Sequence, residues 1–267
     1  MKDEFIVKIS TMVCTLKGGD KMREDNADKM FTFLRGFCAG GDYPGVTRAL
    51  GFMREKHAGQ MRKSSGQPYI VHPLTMTCYA TGIVGCKDDD LLSAILLHDV
   101  PEDCDVPIES LPCSDKAKKA VKYMTFLQLP GESKEVAKTR YFCELLECRR
   151  STIIKGLDRF DNLSTMQEMI AEIPISETAK IKQRETAIAK NIYETHFLLL
   201  PVLQEAKQKW PDFANAFHVL RYNLRALNTT LAFAHGINLY SANNHVDSLA
   251  EGAEKYRNYA TAGFPAL

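Results

Sequence analysis

The sequence predicts an all-α protein, and three observations support that prediction. Apolar residues recur mostly at three- and four-residue spacings, which is the period of one helix face. Alternating patterns typical of strands are scarce. With 267 residues, of which 45% are hydrophobic, the chain is large enough for one large core or two modest ones. We find no internal repeat and no low-complexity segment, which argues against a repeat architecture.

Breaks in the periodic pattern give the helices in order. Gly40-Gly41 ends an early helix, and Pro44 is suited to open the next one. Asp88 to Asp90 form an acidic start, favourable at the positive end of a helix dipole, for a segment that is apolar nearly all round. Pro130-Gly131 and Pro174 mark later breaks. The predicted helices span 26–37, 44–62, 72–83, 91–103, 114–128, 133–148, 151–170, 176–207, 211–234 and 246–260.

Charge and composition argue against several kinds of partner. A net charge of +1 gives no global field toward nucleic acid or a membrane surface. No apolar run approaches the ~20 residues needed to span a bilayer. Lys8 interrupts the apolar N-terminal stretch, and the eight cysteines include no Cys-x-x-Cys pair. We therefore expect a cytoplasmic protein with no nucleic-acid or membrane partner.

The pair His98-Asp99 ends the strongly apolar helix. A buried carboxylate is costly unless it is paired or bound to metal. Glu102 and Asp103 follow at four-residue spacings, so a continuing helix would place four polar groups together. Carboxylates beside a metal suit phosphoryl hydrolysis, because one can handle water and the other the leaving oxygen. The alternative is a core histidine beside a solvated acidic helix end, which the helix dipole disfavours.

Two further clusters are ambiguous when taken alone. Asp158, Asn162 and Thr165 lie at spacings of four and seven, hence on one helical stripe. Taken alone, that stripe is better explained as salt-bridged helix surface. Arg62 and Lys63 precede a loop and could hold phosphate or stack on a base, although isolated basic residues are usually solvated.

Taken together and in this order, the clusters resemble the hydrolase domain of the RelA/SpoT homologue family. The similarity covers about residues 45–200, and its motifs are His57 to Lys63, Pro68 to Pro73, Leu96 to Asp103 and Lys155 to Asn162. The resemblance implies an HD-domain helical bundle with additional N- and C-terminal helices. It implies an N-terminal helical extension (1–43), an HD hydrolase core (44–200) and C-terminal helices that pack on the core (201–267).

The resemblance also implies roles for individual residues. The expected metal is Mn²⁺, and its ligands would be His72, His98, Asp99 and Asp158. The catalytic carboxylates would be Glu102 and Asp103. The contacts to a small-molecule nucleotide would come from Arg62, packing on the guanine face, and from Lys63, Asn162 and Thr165.

The implied activity is removal of the ribose 3′-pyrophosphate from ppGpp or pppGpp, giving GDP or GTP. Alternatives that stay open are a related nucleotide, such as (p)ppApp or NADPH, and a non-catalytic nucleotide-binding or antitoxin-like protein. A synthetase domain would need about 200 further residues, so we expect a stand-alone hydrolase. The C-terminal helices could pack on the core, cover the pocket or form a homo-oligomer contact. Two departures stand out, since Pro101 is expected to kink its helix and Gly156 to loosen the Asp158 helix.

Overall fold

The computed structural model describes residues 20–62, 66–166 and 173–264, with side chains from residue 26 onward except that of residue 242. Lys63 and the Ser64-Ser65 loop therefore lie outside the described residues, as do residues 1–19 of the predicted N-terminal extension. Within the described part, the chain forms helices and one isolated bridge between Met61 and Pro68, with no strand. The predicted all-α class is confirmed.

The helices are numbered in chain order. They are α1 Asp20–Ala39, α2 Pro44–Lys56, α3 Val71–Gly82, α4 Asp89–Leu97, α5 Val100–Asp103, α6 Asp115–Met124, α7 Lys134–Glu144, α8 Arg149–Thr165, α9 Thr178–Glu194, α10 Leu200–Lys209, α11 Ala214–Ala234 and α12 Leu249–Ala262. Among the described helices, none is both long and apolar enough to cross a bilayer.

The predicted helix 91–103 is wrong in one respect, because it is two helices. α4 ends at Leu97, and the short α5 begins at Val100. Pro101 lies in the first turn of α5. Proline has no N–H to donate to the Leu97 carbonyl, so the ladder of α4 cannot continue through it. The break places His98 and Asp99 at the junction of the two helices.

The predicted helix 176–207 is also interrupted. A π-helical segment, Thr195–Leu199, separates α9 from α10. Pro201 follows in the first turn of α10 and cannot bond the Phe197 carbonyl four residues earlier. α12 packs against this segment at Gly252, where any β-carbon would collide with the same Phe197 carbonyl.

Helix α8, which carries Asp158, lies at the centre of the core. It packs against α3, α4, α6, α10 and α11, and one hydrophobic cluster extends from Leu34 to Tyr256. Gly156 is buried on α8, and a β-carbon there would lie 3.3 Å from Leu220 Cδ1 and 3.6 Å from Leu203 Cδ2. The glycine therefore lets α10 and α11 approach α8 closely. Gly156 was expected to loosen α8, but its surroundings are closely packed.

Candidate metal centre

The four predicted metal ligands come from separate parts of the fold and converge. His72 is the second residue of α3, His98 and Asp99 occupy the α4–α5 junction, and Asp158 lies on α8. His72 Nε2 is 3.6 Å from Asp99 Oδ2 and 3.4 Å from Asp158 Oδ1. His98 Nε2 is 3.0 Å from Asp99 Oδ2. His72, His98 and Asp99 thus form one close group, and Asp158 contacts it through His72.

The donor atoms fit a divalent cation. One candidate ligand atom each from His72, His98 and Asp99 lies within 4.8 Å of the others. The His98 Nδ1 atom is 2.8 Å from the Ile95 carbonyl, which can only accept, so Nδ1 carries the hydrogen. His98 Nε2 is buried and, within the described residues, makes no hydrogen bond of acceptable geometry. A buried imidazole nitrogen that makes no well-aligned hydrogen bond suits a metal ligand.

The electrostatics of the cluster favour ionised carboxylates. Burial alone would raise the pKa of Asp99, but the adjacent His98 outweighs it and holds that pKa well below its usual range. Burial is likewise outweighed at Asp158, chiefly by the Lys155 ammonium, so its pKa is also lowered. For His72, burial favours the neutral ring, yet hydrogen bonds to Asp158 and Asp161 raise its pKa to about 9. A metal entering the site must therefore displace a proton from His72.

The two predicted catalytic carboxylates lie on the exposed side of this cluster. Glu102 lines a cavity of ≈ 130 Å³ whose floor includes His98, Asp99 and Asp158. Burial, together with the charges of Asp99 and Asp103, raises the pKa of Glu102. Asp103 is not among the residues that line this cavity. Its backbone N–H donates to the Asp99 carbonyl. Glu102 is therefore the better placed of the two toward the cavity.

No family model matches the chain, but similar curated proteins are informative. The guanosine-3′,5′-bis(diphosphate) 3′-pyrophosphohydrolase of Aquifex aeolicus is 31% identical over 125 residues, 45% of this chain and 18% of that protein. A probable enzyme of the same name from Synechocystis is 30% identical over 134 residues, 48% of this chain and 17% of the relative. The bifunctional (p)ppGpp synthase/hydrolase SpoT of Escherichia coli is 32% identical over 120 residues, 42% and 17% respectively.

Over about half of its length, the chain is similar to members of the RelA/SpoT homologue family. The matching stretch accounts for less than a fifth of each of these three relatives. The predicted resemblance to this family is thus confirmed, and the predicted ligand, catalytic and substrate roles of individual residues stay predictions.

The RelA/SpoT motif residues predicted to contact nucleotide face the protein. Arg62, only 8% exposed, donates to Asp161 and Asn162. Asn162 in turn donates to Asp158, 2.6 Å away. The Thr165 hydroxyl donates to carbonyls of its own helix. Lys63 lies outside the described residues. Arg62 and Asn162 are therefore connected to the candidate ligand Asp158, and none of the three described side chains lines the cavity.

Several residues of the site are not among those that the sequence predicts. Lys138 and Lys155 line the cavity with Phe126 and Tyr141. Lys155 lies three residues before Asp158. That spacing puts both residues on one helix face, so Lys155 could have been predicted from the sequence. Lys138 comes from α7, whose position relative to α8 no local pattern reveals. A third such residue is Asp161, whose Oδ2 lies 2.6 Å from His72 Nδ1.

The two lysines supply positive charge beside the carboxylates. Lys155 Nζ lies 2.8 Å from Asp158 Oδ2, and although burial opposes the charged form, that carboxylate raises its pKa. Lys138 Nζ lies 3.5 Å from Glu194 Oε2 and 5.0 Å from the Phe126 ring centre. Burial lowers the pKa of Lys138. A cavity lined by candidate metal ligands and two lysines suits a phosphate group.

Proposed function

We propose that this chain is a metal-dependent phosphohydrolase that removes the 3′-pyrophosphate from the ribose of ppGpp or pppGpp, giving GDP or GTP plus pyrophosphate. One observation carries the proposal: His98, Asp99 and Asp158 line a cavity that also holds Glu102 and two lysines. Buried His72 contacts two of these residues, Asp99 and Asp158. Relatives named guanosine-3′,5′-bis(diphosphate) 3′-pyrophosphohydrolase support the same reaction.

The metal in this proposal is Mn²⁺. Two imidazoles and two carboxylates suit a borderline divalent ion. When bound, such an ion lowers the pKa of a coordinated water and polarises a phosphate oxygen. His72, His98, Asp99 and Asp158 would hold it, and the lowered pKa values of the two aspartates keep both carboxylates available as ligands at neutral pH.

The protein's own residues account for the remaining steps. Glu102 can take up or hand over a proton at the cavity, because its raised pKa moves it toward neutrality. Lys138 and Lys155 attract and orient the phosphate oxygens. The cavity volume of ≈ 130 Å³ is below the range of about 300–1,000 Å³ typical of whole-ligand pockets. We therefore place the pyrophosphate in the cavity and the nucleoside outside it.

The proposal is tested by incubating the Mn²⁺-loaded protein separately with ppGpp, ppApp and NADPH and resolving the products by ion exchange. We expect pyrophosphate release from ppGpp, and its loss in Asp99→Ala. A matched control is Asp42→Ala, which removes an exposed aspartate far from the cluster in sequence. Cleavage of ppApp or NADPH alone would contradict the guanosine substrate. Turnover of none of the three would contradict the enzymatic proposal and favour a nucleotide-binding protein.

A further inference from the structure

Both terminal nitrogens of the Arg62 guanidinium bond to side chains of helix α8. Nη1 donates to Asp161 Oδ2 at 2.8 Å, and Nη2 donates to Asn162 Oδ1 at 3.0 Å. We propose that Arg62 is a positioning residue for the metal, which orients His72 through Asp161 and Asp158 through Asn162. The inference rests on the metal centre of the proposed function, and it gives Arg62 a different role from the base contact that the family resemblance implies.

The first branch runs from Arg62 through Asp161 to His72. Asp161 Oδ2 lies 2.6 Å from His72 Nδ1, and the carboxylate is only 4% exposed. An ionised carboxylate only accepts hydrogen bonds, so Nδ1 must carry a hydrogen. His72 Nε2 is then the nitrogen left to face Asp99 and Asp158. Asp161 thus selects the ring orientation and the tautomer that a metal ligand needs.

The second branch runs from Arg62 through Asn162 to Asp158. Guanidinium has donors only, so it fixes the oxygen of the Asn162 amide on its own side. The amide nitrogen is thereby turned toward Asp158 Oδ1, 2.6 Å away. Without Arg62, the amide oxygen would lose its donor, and only the Asp158 carboxylate would remain to orient the amide. The guanidinium therefore orders two of the four ligands at once.

The planar fork of arginine is essential to this role. Its two terminal nitrogens reach two acceptors on one helix in a fixed geometry, which the single ammonium of lysine cannot reproduce. The side chain is also 8% exposed, and both of these nitrogens are already bonded to protein. Stacking on a nucleotide base would require an accessible guanidinium face.

The test measures binding of Mn²⁺ alone to the metal-free full chain, by the electron paramagnetic resonance of free Mn²⁺, without nucleotide. We expect Arg62→Lys to weaken Mn²⁺ binding about 10–100-fold, the usual effect of losing a residue that orients a ligand. Asp161→Ala should weaken it similarly, and Asp161→Asn less, because the amide oxygen can still accept from His72 Nδ1. The matched control is Arg150→Lys, since Arg150 also contacts two aspartates, Asp88 at 2.8 Å and Asp90 at 3.1 Å, away from the cluster.

Circular dichroism and thermal unfolding establish whether each variant is folded. If Arg62→Lys is not folded, the two Asp161 variants are used to test the inference. Unchanged Mn²⁺ affinity in folded Arg62→Lys or Asp161→Ala, or an equal loss in Arg150→Lys, would overturn the inference. A raised KM for ppGpp in Arg62→Lys, with unchanged Mn²⁺ affinity, would instead show that Arg62 contacts the nucleotide base. The wild-type protein could also fail to cleave ppGpp while the variants bind Mn²⁺ more weakly than it does. That result would uphold the inference and contradict the proposed function.

Discussion

The same substitution, glycine to alanine, is predicted to have opposite effects at two helical positions. Gly51 lies in the middle of α2, is exposed, and has space for a β-carbon with no neighbouring atom within 4 Å. Alanine is favoured over glycine in a helix interior by about 1 kcal/mol, so Gly51→Ala should stabilise the protein by up to that amount. Gly252 on α12 instead lies against the backbone carbonyl of Phe197.

At Gly252 the collision is with backbone, which cannot rotate away as a side chain can. Overpacking usually costs about 1–3 kcal/mol and sometimes more, and this contact belongs at the upper end. After subtracting about 1 kcal/mol of helix propensity, we expect Gly252→Ala to destabilise by about 2 kcal/mol or more. Urea unfolding of both variants gives the two free energies at constant m-value. Equal stability of Gly252→Ala and wild type would refute the described packing of α12 on the π-helical segment.

Three further predictions concern the site and its support. Glu194→Gln should destabilise by about 3–5 kcal/mol in urea unfolding, because it leaves the buried Arg159 guanidinium without its charged partner; a loss under 1 kcal/mol would contradict this. Mn²⁺ affinity should rise about tenfold per pH unit from pH 7 to pH 8.5, because His72, with a pKa raised to about 9, must release a proton to bind metal. Mn²⁺ titrations at several pH values check this prediction. An affinity that does not change with pH would argue against His72 as a ligand. Lys138→Ala should lower kcat/KM for ppGpp by about 10–100-fold through loss of a charge-assisted contact of about 1.5–3 kcal/mol; unchanged steady-state kinetics would exclude Lys138 from the phosphate site.

The helical class could be predicted because it depends on local periodicity, which the sequence displays directly. Two predicted helices are interrupted, at Pro101 and at Pro201, and both interruptions have the same cause. Each proline removes one backbone hydrogen bond to the residue four positions earlier, and whether a helix kinks, stops or becomes a π-helix there depends on its tertiary neighbours.

Convergence of the four ligand candidates followed from motif order, since three separated segments had to meet to make one site. The supporting residues were harder to predict. Lys138 reaches the cavity only because α7 packs near the site, and the bonds of Arg62 to Asp161 and Asn162 span about 100 residues of sequence. Gly156 shows the same limit, because its lack of a side chain has meaning only once Leu203 and Leu220 are seen opposite it.

The central claim is that four side chains from α3, the α4–α5 junction and α8 hold one divalent ion. The most direct measurement is an anomalous difference map at the manganese absorption edge from crystals of the full chain soaked in Mn²⁺. The account predicts one strong peak within coordination distance of His72 Nε2, His98 Nε2 and carboxylate oxygens of Asp99 and Asp158. A peak bound elsewhere, or none at this cluster in crystals that hold Mn²⁺ at other positions, would contradict it.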